Sequence, residues 1–85
     1  MIFRQWYDNE TSTYTYLLAD EQTRQAVLID PVREHVERDL TQLRELGLTL
    51  AYVLDTHTHA DHVTGAGMLR ERTGAQTVGG QTAPA

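Results

Sequence analysis

Apolar and polar positions alternate weakly over residues 1–6, which predicts an edge strand, and Asp8, Asn9 and Glu10 then carry turn chemistry. Residues 11–18 read Thr-Ser-Thr-Tyr-Thr-Tyr-Leu-Leu, with β-branched and aromatic side chains at the strand period. The polar stretch 20–24 suits a short hairpin connection. Ala26-Val27-Leu28-Ile29 is a continuous apolar run of strand length, and it stops at Asp30-Pro31 because Pro31 has no N–H to give a ladder. Residues 11–18 and 26–30 are therefore expected to pair as antiparallel strands. Trp6, Tyr14 and Tyr16 are expected to face the core.

From residue 33 the period changes. Val36, Leu40, Leu43 and Leu46 recur at spacings of four and three, one apolar stripe on a helix over residues 33–46. Glu34, Glu37, Arg38, Gln42, Arg44 and Glu45 fall largely on the other faces, and Gly47 is placed to stop the helix. Residues 50–54, Leu-Ala-Tyr-Val-Leu, form a further strand, so strand, helix and strand make a βαβ-like unit. A second helix is expected over residues 68–72, ended by Thr73-Gly74. The pattern predicts an α/β (α+β) domain over residues 1–78 and a flexible tail over 79–85, small and polar from Gly79 onward.

Composition narrows the function classes. The chain has no cysteine, which removes disulfides, zinc ribbons and thiol catalysis together. The formal net charge of −5 is spread along the chain and argues against a nucleic-acid surface, which needs clustered basic residues. No apolar run approaches the ~20 residues of a membrane span. The first seven residues do not read as a signal peptide, so a cytoplasmic protein is the expectation.

The chemistry concentrates in Asp55-Thr56-His57-Thr58-His59-Ala60-Asp61-His62-Val63-Thr64-Gly65, directly after an apolar strand. Three of the four histidines lie there within six positions, beside an aspartate. Imidazole and carboxylate are ligands for zinc, iron and manganese. If the segment is extended, His57, His59 and Asp61 point to one side; a turn at residues 60–62 would instead spread the ligands around a metal pair. The C-terminal end of a strand is where α/β proteins build their sites. The remaining histidine, His35, reads as a surface or hydrogen-bonded residue. Asp30 has two readings, orienting a ligand from behind or capping the following helix. Gly65 and Gly67 likewise have two: close packing or glycine-only dihedrals near the site, or simply a poor first helical turn.

At residues 57–62 the sequence matches the His-X-His-X-Asp-His signature and so resembles the metallo-β-lactamase superfamily. Thr13-Tyr14-Thr15-Tyr16-Leu17-Leu18, Ala26-Val27-Leu28-Ile29-Asp30-Pro31-Val32, Glu45-Leu46-Gly47-Leu48 and the run from Thr56 to Gly65 look more narrowly like its persulfide dioxygenases. Glyoxalase II proteins are close relatives with the same metal motif. The resemblance implies a four-layer αββα sandwich, of which this chain is the N-terminal part. It implies an Fe(2+) site of two His and one carboxylate, with His57 as the first histidine ligand and His59 beside the metal. Asp61 and His62 match positions that bind a second metal in two-metal relatives. The family's other ligands lie further along, and none follows Val78 here.

Three functions follow. The first is oxidation of glutathione persulfide to sulfite by a non-haem iron enzyme. The second is thioester hydrolysis at a two-metal, zinc-type site. The third is an inactive truncated fragment, whose uncovered apolar sheet would invite self-association, a homodimer included.

Overall fold

The computed structural model describes residues 1–56 and 65–79. Among them, β1 (Ile2–Asp8), β2 (Thr13–Ala19), β3 (Gln25–Ile29), β4 (Thr49–Asp55) and β5 (Gln76–Gly79) form one sheet in sequence order. β1 pairs with β2 and β2 with β3 antiparallel, whereas β3 pairs with β4 and β4 with β5 in parallel. Parallel neighbours need a crossover. Helix α1 (Val36–Leu46) makes the first, between β3 and β4, and α2 (Gly65–Thr73) lies between β4 and β5. The expected antiparallel pair is present, with Tyr16 opposite Ile29 and Ala19 opposite Ala26. The helices and the sheet are those of a mixed α/β fold.

Some boundaries differ from the sequence reading. The first helix opens with a 3-10 turn, Arg33–His35, before α1 begins at Val36. It ends at Gly47, whose φ of +68° is the left-handed conformation. There the Leu48 N–H reaches the Leu43 carbonyl at 2.8 Å, which satisfies an orphan acceptor of the last turn. The second helix starts three residues earlier than expected, at Gly65. β5 was not expected, because Gln-Thr-Val-Gly offers a single apolar residue. Parallel pairing with β4, Leu54 opposite Val78, makes it a strand. Residues 80–85, most of the expected tail, lie outside the described residues.

Strand alternation gives the sheet two unlike faces. Thr15, Leu17 and Ala19 of β2, Ala26 and Leu28 of β3, and Val53 of β4 are buried on one face, together with Val36 and Leu43 of α1 and Leu69 of α2. The opposite face carries Phe3, Tyr7, Tyr14 and Tyr16, whose rings meet across β1 and β2: Tyr7 and Tyr14 centroids are 4.7 Å apart. Tyr14 is 48% exposed, so the expectation that it faces the core is corrected, and Tyr16 shares its face. The period of two sends Thr15 and Leu17 to the helices and must send their neighbours away from them. Trp6 does pack against the core. No helix among the described residues is long and apolar enough to cross a membrane.

Asp39 sits inside the apolar stripe of α1, three residues from Val36 and four from Leu43, and is buried. Arg38, whose guanidinium lies 4.6 Å over the Trp6 ring, donates to Asp39 Oδ1 at 3.0 Å. Asp39 Oδ2 finds no hydrogen-bond partner among the described residues. Burial raises the pKa of this carboxyl above its ordinary value, against the attraction of Arg38. The folded protein thus holds the Asp39 proton more tightly than the unfolded chain, so stability falls as the pH rises above about 4. Asp39→Asn should remove this loss. Unfolding midpoints of the two proteins should diverge from pH ~4 upward and stop diverging once the folded carboxyl has ionised; parallel curves would contradict the assignment.

Candidate metal centre

β4 ends at Asp55, and Thr56 follows it on the same rim of the sheet as Asp30, the residue after β3. Asp30 is gripped on every side. Its N–H donates to the Leu54 carbonyl at 2.7 Å, and its own carbonyl accepts the Thr15 hydroxyl at 2.7 Å. Its carboxylate accepts the Thr56 N–H at 2.7 Å and, through the other oxygen, the Thr56 hydroxyl. Asp30 adopts φ +54°, a left-handed conformation that costs a non-glycine residue about 1–3 kcal/mol. The surrounding bonds offset that cost and turn the carboxylate toward Thr56. The capping reading of Asp30 is thereby settled: neither the 3-10 turn nor α1 has a side-chain cap.

Thr56 is the residue before His57. The candidate ligands His57, His59, Asp61 and His62 lie outside the described residues, which resume at Gly65. There the Gly65 N–H donates to the Pro31 carbonyl at 3.3 Å. A Cβ at Gly65 would sit 3.1 Å from Val36 Cγ2 and 3.2 Å from Pro31 Cβ, so this glycine is the close-packed one. A Cβ at Gly67 would meet nothing within 4 Å. Both flanks of the segment, Thr56 and Gly65, are therefore tied to the adjacent residues Asp30 and Pro31. The donor set of the segment, three imidazoles and a carboxylate, fits a divalent transition metal chemically.

Beside Thr56 an open cleft of about 650 Å³ lies against the sheet. Tyr14, Tyr16 and Ile29 line it from the strands, Thr11, Ser12 and Thr13 from the β1–β2 turn, and Asp30 and Thr56 from the strand ends. Among the described residues its lining is rich in hydroxyls and has no cationic side chain. Sequence reading did not find the turn as part of a site, since Thr11 and Ser12 stand well over forty positions before His57. It also missed the partner of His35. His35 Nε2 lies 2.8 Å from Asp8 Oδ1, 27 residues away in sequence, so His35 is a hydrogen-bonded histidine outside the metal segment.

Comparison with known proteins is decisive on family. The Metallo-beta-lactamase superfamily profile matches residues 8–84. The chain belongs to the metallo-β-lactamase superfamily. It is 53% identical over 70 residues to "Persulfide dioxygenase ETHE1, mitochondrial" of Bos taurus, covering 82% of this chain and 28% of that protein. The crystal structure of ETHE1 from Myxococcus xanthus superposes with a TM-score of 0.84 at 66% identity, covering 91% of this chain and 34% of that one. A hydroxyacylglutathione hydrolase from Albidiferax ferrireducens is 41% identical over 69 residues, 81% of this chain and 26% of that protein. The chain thus spans about a third or less of the length of these metallo-β-lactamase relatives, and the family implies a metal cofactor.

The Gly65 contact is directly testable. In the complete protein, Gly65→Ala should destabilise by about 1–3 kcal/mol, because Pro31 and Val36 must give way. Gly67→Ala, in the same helix with open space around it, should stabilise by roughly 0.5–1 kcal/mol. Denaturant unfolding of the two variants measures both; equal effects would remove the close-packing assignment.

Proposed function

We propose that this chain is the N-terminal, metal-binding part of a non-haem iron persulfide dioxygenase that oxidises glutathione persulfide. Atoms and charge balance as glutathione persulfide, dioxygen and water going to glutathione, sulfite and protons. The observation that carries the reading is the 66% identity to the Myxococcus ETHE1 structure across 91% of the chain. His57, His59, Asp61 and His62 would hold the metal. Ferrous iron supplies, when bound, the redox chemistry with which dioxygen and a persulfide sulfur are brought to react. The protein's own contribution is positional. Asp30 fixes Thr56, and with it the approach of the chain to His57; Gly65 fixes the exit against Pro31. Tyr14, Tyr16 and Ile29 offer the organic part of a substrate an apolar bed beside Thr56. A chain without cysteine suits a reducing compartment, and the proposal places the reaction in the cytoplasm.

A second reading, thioester hydrolysis at a zinc-type metal pair, is supported by the 41% identity to the hydroxyacylglutathione hydrolase. The two readings differ in metal count and in oxygen use. The complete protein should contain one iron per chain and consume oxygen when given glutathione persulfide, and His57→Ala should abolish that consumption. An oxygen-electrode trace unchanged by the substitution would remove His57 from the ligand set. Two metals per chain with hydrolysis of a glutathione thioester, and no oxygen consumption, would replace the first reading by the second.

A further inference from the structure

His35 is the histidine that the metal segment leaves unused, and the structure gives it a definite partner. Its Nε2 lies 2.8 Å from Asp8 Oδ1. The other oxygen of that carboxylate accepts the Thr11 N–H at 2.9 Å and the Thr11 hydroxyl at 2.6 Å. One side chain therefore joins the end of β1, the turn at residues 9–12 and the start of α1. The turn needs such an anchor, since Ser12 is held at φ +53°, where a non-glycine backbone is strained. The Asp8 side chain is largely shielded, at 14% exposure. The His35 end of the anchor also matters. It follows Asp30-Pro31 through the 3-10 turn, the same stretch of backbone that ties Thr56 and Gly65. Through His35, the turn is referenced to Asp30 and Pro31, which bind Thr56 and Gly65.

Resting on the dioxygenase reading, we infer that the Asp8–His35 pair is a positioning pair: it sets the 9–12 turn as a fixed wall of the cleft, against which the organic part of a glutathione-sized persulfide is placed. His35 touches no reacting atom. Thr11 and Ser12 of the turn line the cleft; the Thr11 hydroxyl gives its proton to Asp8 and can only accept from a substrate amide, while a serine hydroxyl can also donate to a substrate carboxylate. Asp8 is a dependable acceptor. The Thr11 hydroxyl first, and His35 second, hold its pKa at about 2, so it is ionised throughout the working range. The imidazole can donate from Nε2 whether neutral or protonated, so the tether does not require His35 to carry charge.

The test uses the complete protein with His35→Ala, His35→Gln and Thr11→Val. A glutamine amide can stand where His35 Nε2 stands and donate to Asp8. His35→Ala should raise KM for glutathione persulfide about fivefold, the net worth of one ordinary hydrogen bond, while kcat and bound iron change less. Exchange of the Thr11 amide should accelerate severalfold, and His35→Gln should restore both KM and exchange. Thr11→Val, which frees the turn but leaves the Asp8–His35 bond, should raise KM in the same way. An unchanged KM in folded Thr11→Val, unaltered Thr11 exchange in His35→Ala, or a His35→Gln protein that behaves like His35→Ala would each overturn the proposal. So would a parallel fall of kcat and iron content, which marks a merely structural role. If the unmodified protein consumes no oxygen with glutathione persulfide, the dioxygenase reading fails by itself. The dissociation constant of glutathione, read by calorimetry, then replaces KM, and the same pattern across the three variants is required.

Discussion

Asp30 holds three strands in register at the one rim where chemistry is expected, and the rest of the site depends on that grip. Its carbonyl accepts the Thr15 hydroxyl of β2, its N–H donates to the Leu54 carbonyl of β4, and its carboxylate accepts from Thr56 beyond β4. A single hydrogen bond contributes about 1 kcal/mol net, so several together outweigh the cost of a left-handed backbone at a non-glycine residue. The next residue, Pro31, has a fixed φ and offers its carbonyl to Gly65. The residues on either side of the metal segment are thus bound to two consecutive positions. Tethering both ends of a segment lowers the entropy left to lose when it is ordered further. This is a physical reason for an aspartate and a proline to follow β3.

The sheet meets unlike surroundings on its two faces, and that division places the cleft. Helices α1 and α2 cover the face built by Leu17, Leu28 and Val53. The other face is aromatic, the one that a second sheet covers in an αββα sandwich, and its Tyr14 and Tyr16 reach the cleft at the rim beside Thr56. Aromatic rings there combine apolar area with a hydroxyl at the edge, a surface able to hold a mostly organic ligand with a polar end. The same alternation that makes β2 a strand therefore decides which of its side chains line the cleft.

Much of this was legible from the chain alone. The alternation in residues 11–18, the apolar run at 26–29 and the stripe Val36, Leu40, Leu43 and Leu46 are local signals, and the elements they predict are present. The signature at residues 57–62 is local too, and it carried the family. What stayed hidden depends on contacts between distant residues. β5 exists through its pairing with β4, since Gln-Thr-Val-Gly has almost no strand signal of its own. The direction of Tyr14 depends on which face the helices choose. The bond between Asp8 and His35 joins positions that no periodicity relates.

Three aspartates show where sequence reading stops and environment takes over. By residue type Asp8, Asp30 and Asp39 are the same group, each beside an element boundary or on a helix. Asp8 is surrounded by donors and kept ionised at a pKa of about 2, which makes it an anchor. Asp30 has each carboxylate oxygen committed to Thr56, which makes it a clamp. Asp39 is buried with one oxygen short of a partner among the described residues, so burial pushes its carboxyl the other way. Its helix tolerates this because Arg38, braced over the Trp6 ring, supplies bonds to the other oxygen. An anchor and a clamp both bear on the cleft, from its two sides, whereas Asp39 bears only on the seam between α1 and the sheet. Substitutions at the three positions should consequently separate: those at Asp8 and Asp30 act on what the cleft binds, and those at Asp39 act on how the stability of the fold varies with pH.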